Sequence, residues 1–73
     1  MKLAKEIKIN TNYNIHQINS EDLLIVQRLN ELGLYSGLDF KILNILSFGS
    51  VYILQFEDSI VALNKMEMSC LNF

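Results

Sequence analysis

The side chains best suited to metal binding or acid–base chemistry are few and scattered. His16 is the only histidine and Cys70 the only cysteine, and they lie toward opposite ends of the chain. A transition-metal site needs three or four clustered ligands, and no set of His, Cys, Asp and Glu residues here has ligand spacing. We therefore expect no metal ligand among these residues and interpret both as ordinary strand residues.

The glycines and paired carboxylates also argue against catalysis. The three glycines, at positions 33, 37 and 49, fall in predicted turns, and no glycine-rich phosphate loop with its Lys-Ser pair is present. Glu57 and Asp58 are adjacent acids in a predicted hairpin turn, where solvated turn residues are the commoner explanation. We expect no catalytic residue, no cofactor and no enzyme activity.

Length and composition narrow the remaining classes. The chain has 73 residues, 51% of them hydrophobic, and a net charge of -2, which together predict one domain over residues 1–73 and disfavour nucleic acid as a partner. The apolar runs are far shorter than the roughly 20 residues that cross a bilayer, so no direct membrane insertion is expected. Charges interrupt the N-terminal segment every few residues, as no secretion signal would allow, and a cytoplasmic location is expected.

One helix is predicted early in the chain. Asn19 and Ser20 can cap its free N–H groups, and the acidic residues that follow suit the positive end of the helix dipole. The helical spacing continues to Leu32, after which Gly33 suits a left-handed helix end. The residues predicted to face the core are Ile25, Val26, Leu29 and Leu32.

Short strands with tight turns fill the rest of the chain. Strands are predicted at 13–18, 38–46, 51–56, 60–63 and 69–73, with one helical turn at 64–68 and a left-handed Asp58 between the third and fourth strands. Parallel strands would need crossover helices that are missing. The predicted fold class is therefore mainly β, a small and partly open barrel with one α-helix after its first strand.

Two segments carry a resemblance to a known family. Residues 28–40 resemble the Arg-Leu-x-x-Leu-Gly-Leu-x-x-Gly-x-x-Val stretch of the ferrous iron transport protein A (FeoA) family, and residues 62–73 resemble its closing Ala-Leu-Arg-x-x-Glu-Ala-x-x-Ile-x-Val. The resemblance implies an SH3-like barrel. It also implies a cytosolic accessory of the membrane transporter called ferrous iron transport protein B, docked on that transporter's cytoplasmic, GTP-binding part. The departures from the family pattern are Ser36, Asp58, Asn64 and Met68, where Pro, Gly, Arg and Ala are usual.

The apolar content predicts a docking surface. A domain of this size buries only about 60% of its unfolded surface, so some of the apolar residues should remain outside and contact a partner. If Phe40, Ile42, Val51 and Ile53 point inward, then at least some of Leu43, Ile45, Tyr52 and Leu54 point outward, unless a bulge returns them to the core or the N-terminal segment covers them through Leu3 and Ile7. Tyr35 and Phe48 at turn tips favour docking as well. The candidate partner-binding residues are Leu24, Arg28, Tyr35, Leu43, Tyr52 and Leu54.

Two other functions stay open at this stage. The chain could be an isolated metal-responsive regulatory domain, because similar SH3-like domains form the C-terminal part of iron-dependent repressors, although the DNA-binding helix pair of those repressors is missing. Exposed strand edges could instead support a homo-dimer or a higher oligomer.

Overall fold

The computed structural model describes residues 7–73, which form two antiparallel sheets and two helices. The larger sheet has the strand order β1-β3-β4-β5, and β2 pairs with β6 in a second, two-stranded sheet. This arrangement confirms the predicted fold class of a mainly β, partly open barrel with one main helix. The elements in chain order are β1 (Asn12–Asn14), β2 (Gln17–Ile18), α1 (Leu23–Glu31), β3 (Asp39–Leu46), β4 (Val51–Phe56), β5 (Ser59–Asn64), α2 (Lys65–Ser69) and β6 (Leu71–Asn72).

The first predicted strand is divided between the two sheets. The Ile15 N–H donates to the Leu38 carbonyl at 2.9 Å, whereas the next residue, His16, donates to the Asn72 carbonyl at 2.6 Å. The chain therefore leaves the large sheet at this point and continues beside β6. The imperfect alternation of residues 13–18 reflects this change of sheet.

Helix α1 begins later than predicted. Its N-cap is Asp22, whose Oδ1 accepts a hydrogen bond from the Leu24 N–H at 3.0 Å. The prediction that Asn19 and Ser20 cap the helix is wrong, because the Ser20 hydroxyl instead accepts from the Asp22 N–H. Along α1, Leu29 is fully buried and the other predicted core residues are partly buried. Gly33 takes the expected left-handed conformation, with φ +100°.

A β-bulge decides which side chains of the β3–β4 hairpin face the core. Ile42 lies opposite Leu54 and Asn44 lies opposite Ile53, so Leu43 is the extra residue. Residues opposite each other share a sheet face. Tyr52 and Leu54 therefore line the core with Phe40 and Ile42, and Val51 and Ile53 lie on the other face.

The sequence-based orientation of Tyr52 and Leu54 is thus wrong, since these side chains are only 6% and 0% exposed. The bulge also turns Ile45, which lies opposite Tyr52, toward the core, as one of the two alternatives anticipated. The other alternative was that the N-terminal segment covers the outward residues through Leu3 and Ile7. Ile7 packs against the core, and Leu3 lies outside the described residues.

Three turns among the described residues adopt left-handed backbone at residues other than glycine, the first of them at Asn10 before β1. A 3₁₀ turn at Ser47–Gly49 joins β3 to β4, and Phe48 at its centre has φ 57° and ψ 39°. In the β4–β5 turn Glu57 has φ 53°, so the prediction that Asp58 is left-handed is wrong by one position. Positive φ at the first residue of a two-residue hairpin turn gives the turn a backbone twist that matches the twist of the flanking strands.

Helix α2 confirms the helical turn predicted at 64–68. Asn64 is its N-cap and forms a capping box with Glu67: the Asn64 side chain accepts from the Glu67 N–H at 2.7 Å, and Glu67 Oε1 accepts from the Asn64 N–H at 2.9 Å. The cap satisfies two backbone donors that a helix start leaves unpaired. Asn64 thus has a structural reason to stand where the family usually has arginine.

Candidate functional site

The solvent-facing side of the large sheet carries a contiguous set of apolar side chains. We define the outer sheet face as Leu46, Val51, Ile53, Ile60 and Ala62. Leu46 lies opposite Val51, and Ile53 lies opposite Ala62, so side chains from β3, β4 and β5 form one continuous apolar surface. Leu46 and Ile60 are exposed, and Val51 and Ile53 are half-buried. Contiguous apolar surface of this kind commonly marks an interaction site.

Phe48 lies in the β3–β4 turn, two residues after Leu46 at the end of β3. Its side chain is fully exposed, and its backbone is in the left-handed region. A left-handed non-glycine residue costs about 1 kcal/mol, and an exposed phenylalanine returns no burial energy to offset that cost. Phe48 is therefore unfavourable for the stability of the isolated chain, which is typical of a residue kept for contact with a partner.

The other predicted partner-binding residues lie at separate places. Leu24 is 76% exposed beside Leu23 at the start of α1. Arg28 lies one helical turn further along the same face of α1, so the structure brings these two residues together. Tyr35 lies beyond the end of α1, and its hydroxyl donates to the Glu57 carboxylate at a long 3.5 Å.

Three predicted positions are less accessible. Leu43 is half-buried at the bulge, and Tyr52 and Leu54 are part of the core. Sequence reasoning instead missed Leu46, Ile60 and Ala62. Alternation along single strands did not mark them, because Leu46 reaches the outer face through the bulge at Leu43, and Ile60 and Ala62 through the register of β5 against β4.

An open groove of about 330 Å³ lies at the end of the large sheet away from the β3–β4 turn. Its lining includes Asp39, Lys41, Gln55 and Glu57, and no histidine or cysteine. The Asp39 carboxylate accepts a hydrogen bond from the Asn14 side chain at 2.9 Å. Mixed, solvated charges without a nucleophile–base pair favour a hydrated surface groove over a catalytic site.

The groups suited to metal binding are not assembled in residues 7–73. In that part of the chain no three His, Cys, Asp or Glu side chains lie close enough to hold a metal ion. His16 is exposed, whereas Cys70 is buried and its thiol lies 3.4 Å from the Met66 carbonyl oxygen.

The two family-like segments meet in space. Arg28, from the first segment, forms an ion pair with Glu67, from the second. No helix within residues 7–73 is long and apolar enough to cross a bilayer. No curated protein matches the chain. The FeoA domain family matches residues 1–72 of the 73, so this chain belongs to the FeoA domain family and has its role in ferrous iron transport systems.

Proposed function

We propose that the protein is a non-catalytic, cytoplasmic accessory of ferrous iron uptake that binds the cytoplasmic part of ferrous iron transport protein B and modulates it. Family membership supports the link to iron transport. The observation that carries the docking role is the outer sheet face, which continues through Leu46 to Phe48.

The energetics of this surface favour contact with a protein. Burying apolar area yields about 25 cal/mol per Å², and aromatic residues concentrate the binding energy at interface centres. Phe48 presents a whole phenyl ring to solvent, and Leu46 extends the apolar area beside it. Only a partner surface that removes these side chains from water recovers that free energy.

A second contact region extends the proposal to α1. Leu24 is exposed, and Arg28 is 58% exposed while its Nε is held by Glu67, so the guanidinium is fixed in direction and still reaches solvent. Tyr35 adds an exposed ring near the β4–β5 turn. In this proposal Leu43, Tyr52 and Leu54 hold the strands in place beneath the contact surface instead of touching the partner.

The docking role is tested by titrating the recombinant cytoplasmic part of the transporter with this protein in a calorimeter. We expect Phe48→Ser and Leu46→Ser each to weaken binding at least about tenfold, which corresponds to about 1.4 kcal/mol. The matched control is Asn30→Ser, an exposed residue of α1 on a different side from Leu24 and Arg28, which should bind like the wild type. GTP hydrolysis by the transporter, measured with and without this protein, tests the modulation.

Two results would count against the proposal. If the wild type and both outer-face variants bind with equal affinity, the outer sheet face is not the contact surface. If the correctly folded wild type does not bind at all, the transporter is not its partner.

A further inference from the structure

Strand β5 is a long sheet edge that residues 7–73 leave unprotected. It ends the strand order of the large sheet, and within the described residues it pairs only with β4. Its six residues, Ser-Ile-Val-Ala-Leu-Asn, include no charge, no proline and no bulge. Charged residues, prolines and bulges are the features with which proteins normally prevent edge-to-edge pairing. The opposite edge, β1, is only three residues long.

The hairpin register shows which backbone groups face that free edge. Phe56 and Ser59 flank the two-residue turn as a hydrogen-bonded pair, and the hydrogen-bonded pairs then alternate along the ladder. Ile60 and Ala62 occupy the intervening positions, so their N–H and C=O groups point away from β4. Neither residue forms a backbone hydrogen bond outside this hairpin in the described part of the chain.

We infer that β5 pairs antiparallel with β5 of a second copy of this chain, about a two-fold axis through Val61. Ile60 of one copy then lies opposite Ala62 of the other, and their outward backbone groups form four hydrogen bonds. Because both residues belong to the outer sheet face, the two apolar faces join on the same side of one eight-stranded sheet.

Charge at the two ends of β5 selects a second copy as the occupant. The acidic turn Glu57–Asp58 precedes the strand and Lys65 follows it. The two-fold arrangement brings the acidic turn of each copy beside Lys65 of the other copy, and it does so twice. A parallel arrangement would instead place like charges together. All three side chains are exposed, and the long hydrogen bond from Tyr35 engages only one carboxylate oxygen of Glu57.

The hydrogen bonds of the capping box also favour this register over the one shifted by two residues. A shift by two residues would place Asn64 opposite Ile60, but the Asn64 N–H already donates to Glu67 in the capping box. The axis through Val61 uses only backbone groups that have no other hydrogen bond within the described part of the chain. The outward backbone groups of Ile60 and Ala62 in both copies are then hydrogen-bonded, and α2 is not disturbed.

The pairing is tested on the full chain by sedimentation velocity over a concentration series. We expect the wild type to shift from monomer to dimer as concentration rises, with the amides of Ile60 and Ala62 becoming protected from hydrogen exchange. Ala62→Pro should abolish the dimer, because it removes an edge donor while leaving the β4 ladder intact. Phe48→Ser is the matched control and should dimerise like the wild type.

A charge exchange tests the register and does not depend on the proline variant folding. Lys65→Glu should weaken the dimer at least about tenfold, and Glu57→Lys with Lys65→Glu in the same chain should restore it. High salt should weaken the wild-type dimer. A monomer at every concentration overturns the inference. So does a dimer that survives both Ala62→Pro and Lys65→Glu, or one that is lost in Phe48→Ser.

Discussion

The Arg28 guanidinium donates through Nε to the Glu67 carboxylate and so joins α1 to α2 across 39 residues of sequence. The Glu67 side chain is only 9% exposed, and its other oxygen accepts the Asn64 N–H of the capping box. One carboxylate therefore caps one helix and anchors another. Both partners come from the segments that resemble the FeoA family, which gives these motif residues a structural role.

We predict that Glu67→Ala lowers the free energy of unfolding by about 2 kcal/mol, because it removes half of the capping box and the partner of Arg28. Urea unfolding followed by circular dichroism measures the change. Glu67→Gln is the control: it keeps an oxygen for the Asn64 N–H and should lose about half as much. Equal losses in the two variants would mean that the ion pair, and not the cap, stabilises this corner.

Leu54 and Leu46 are a matched pair for the two sheet faces. We predict that Leu54→Ala lowers the free energy of unfolding by about 3 kcal/mol, because Leu54 is fully buried in the core. Leu46→Ala on the outer sheet face should change it by less than about 0.5 kcal/mol. Thermal or urea unfolding of both variants gives the comparison. A larger loss for Leu46→Ala would reverse the assignment of the faces.

Much of the fold could be predicted because the signals are local. The turn residues, the helical spacing of α1 and the short helix at the C-terminal end follow from propensities within a few residues. The faces of β3 and β4 could not be predicted in the same way. Alternation fixes which residues share a face but not which face is buried, and one extra residue at Leu43 reverses the assignment after it.

The candidate site was predictable only in part for the same reason. Leu24, Arg28, Tyr35 and Phe48 could be selected as exposed because they lie on a helix surface or at turns, where no strand register is needed. Tyr52 and Leu54 were misplaced because their positions depend on the pairing of β4 with two neighbours. The cap at Asp22 and the left-handed Glu57 are shifts of one to three positions, which propensity does not resolve.

Phe48 offers a test of whether function opposes stability at the β3–β4 turn. We predict that Phe48→Asn raises the free energy of unfolding by about 0.5 kcal/mol, because asparagine tolerates φ 57° better and no buried contact is lost. The same variant should bind the transporter more weakly. Tyr35→Asn is the control, because Tyr35 has no positive φ to relieve and should not gain stability. A stability loss in Phe48→Asn would indicate that the phenyl ring packs within this chain.

Gly33 and Gly37 separate backbone strain from steric contact. Both are left-handed, with φ +100° and +95°, but a Cβ at Gly33 would lie 3.2 Å from Cε2 of Phe56, whereas nothing lies within 4 Å of one at Gly37. We predict a loss of about 1 kcal/mol for Gly37→Ala from strain alone and about 2 kcal/mol for Gly33→Ala, because the buried Phe56 ring must also shift. Repeating Gly33→Ala in a Phe56→Leu background removes the close atom, so its cost should fall to that of Gly37→Ala. If the cost stays higher in that background, the strain at Gly33 lies in the end of α1 and not in its packing against β4.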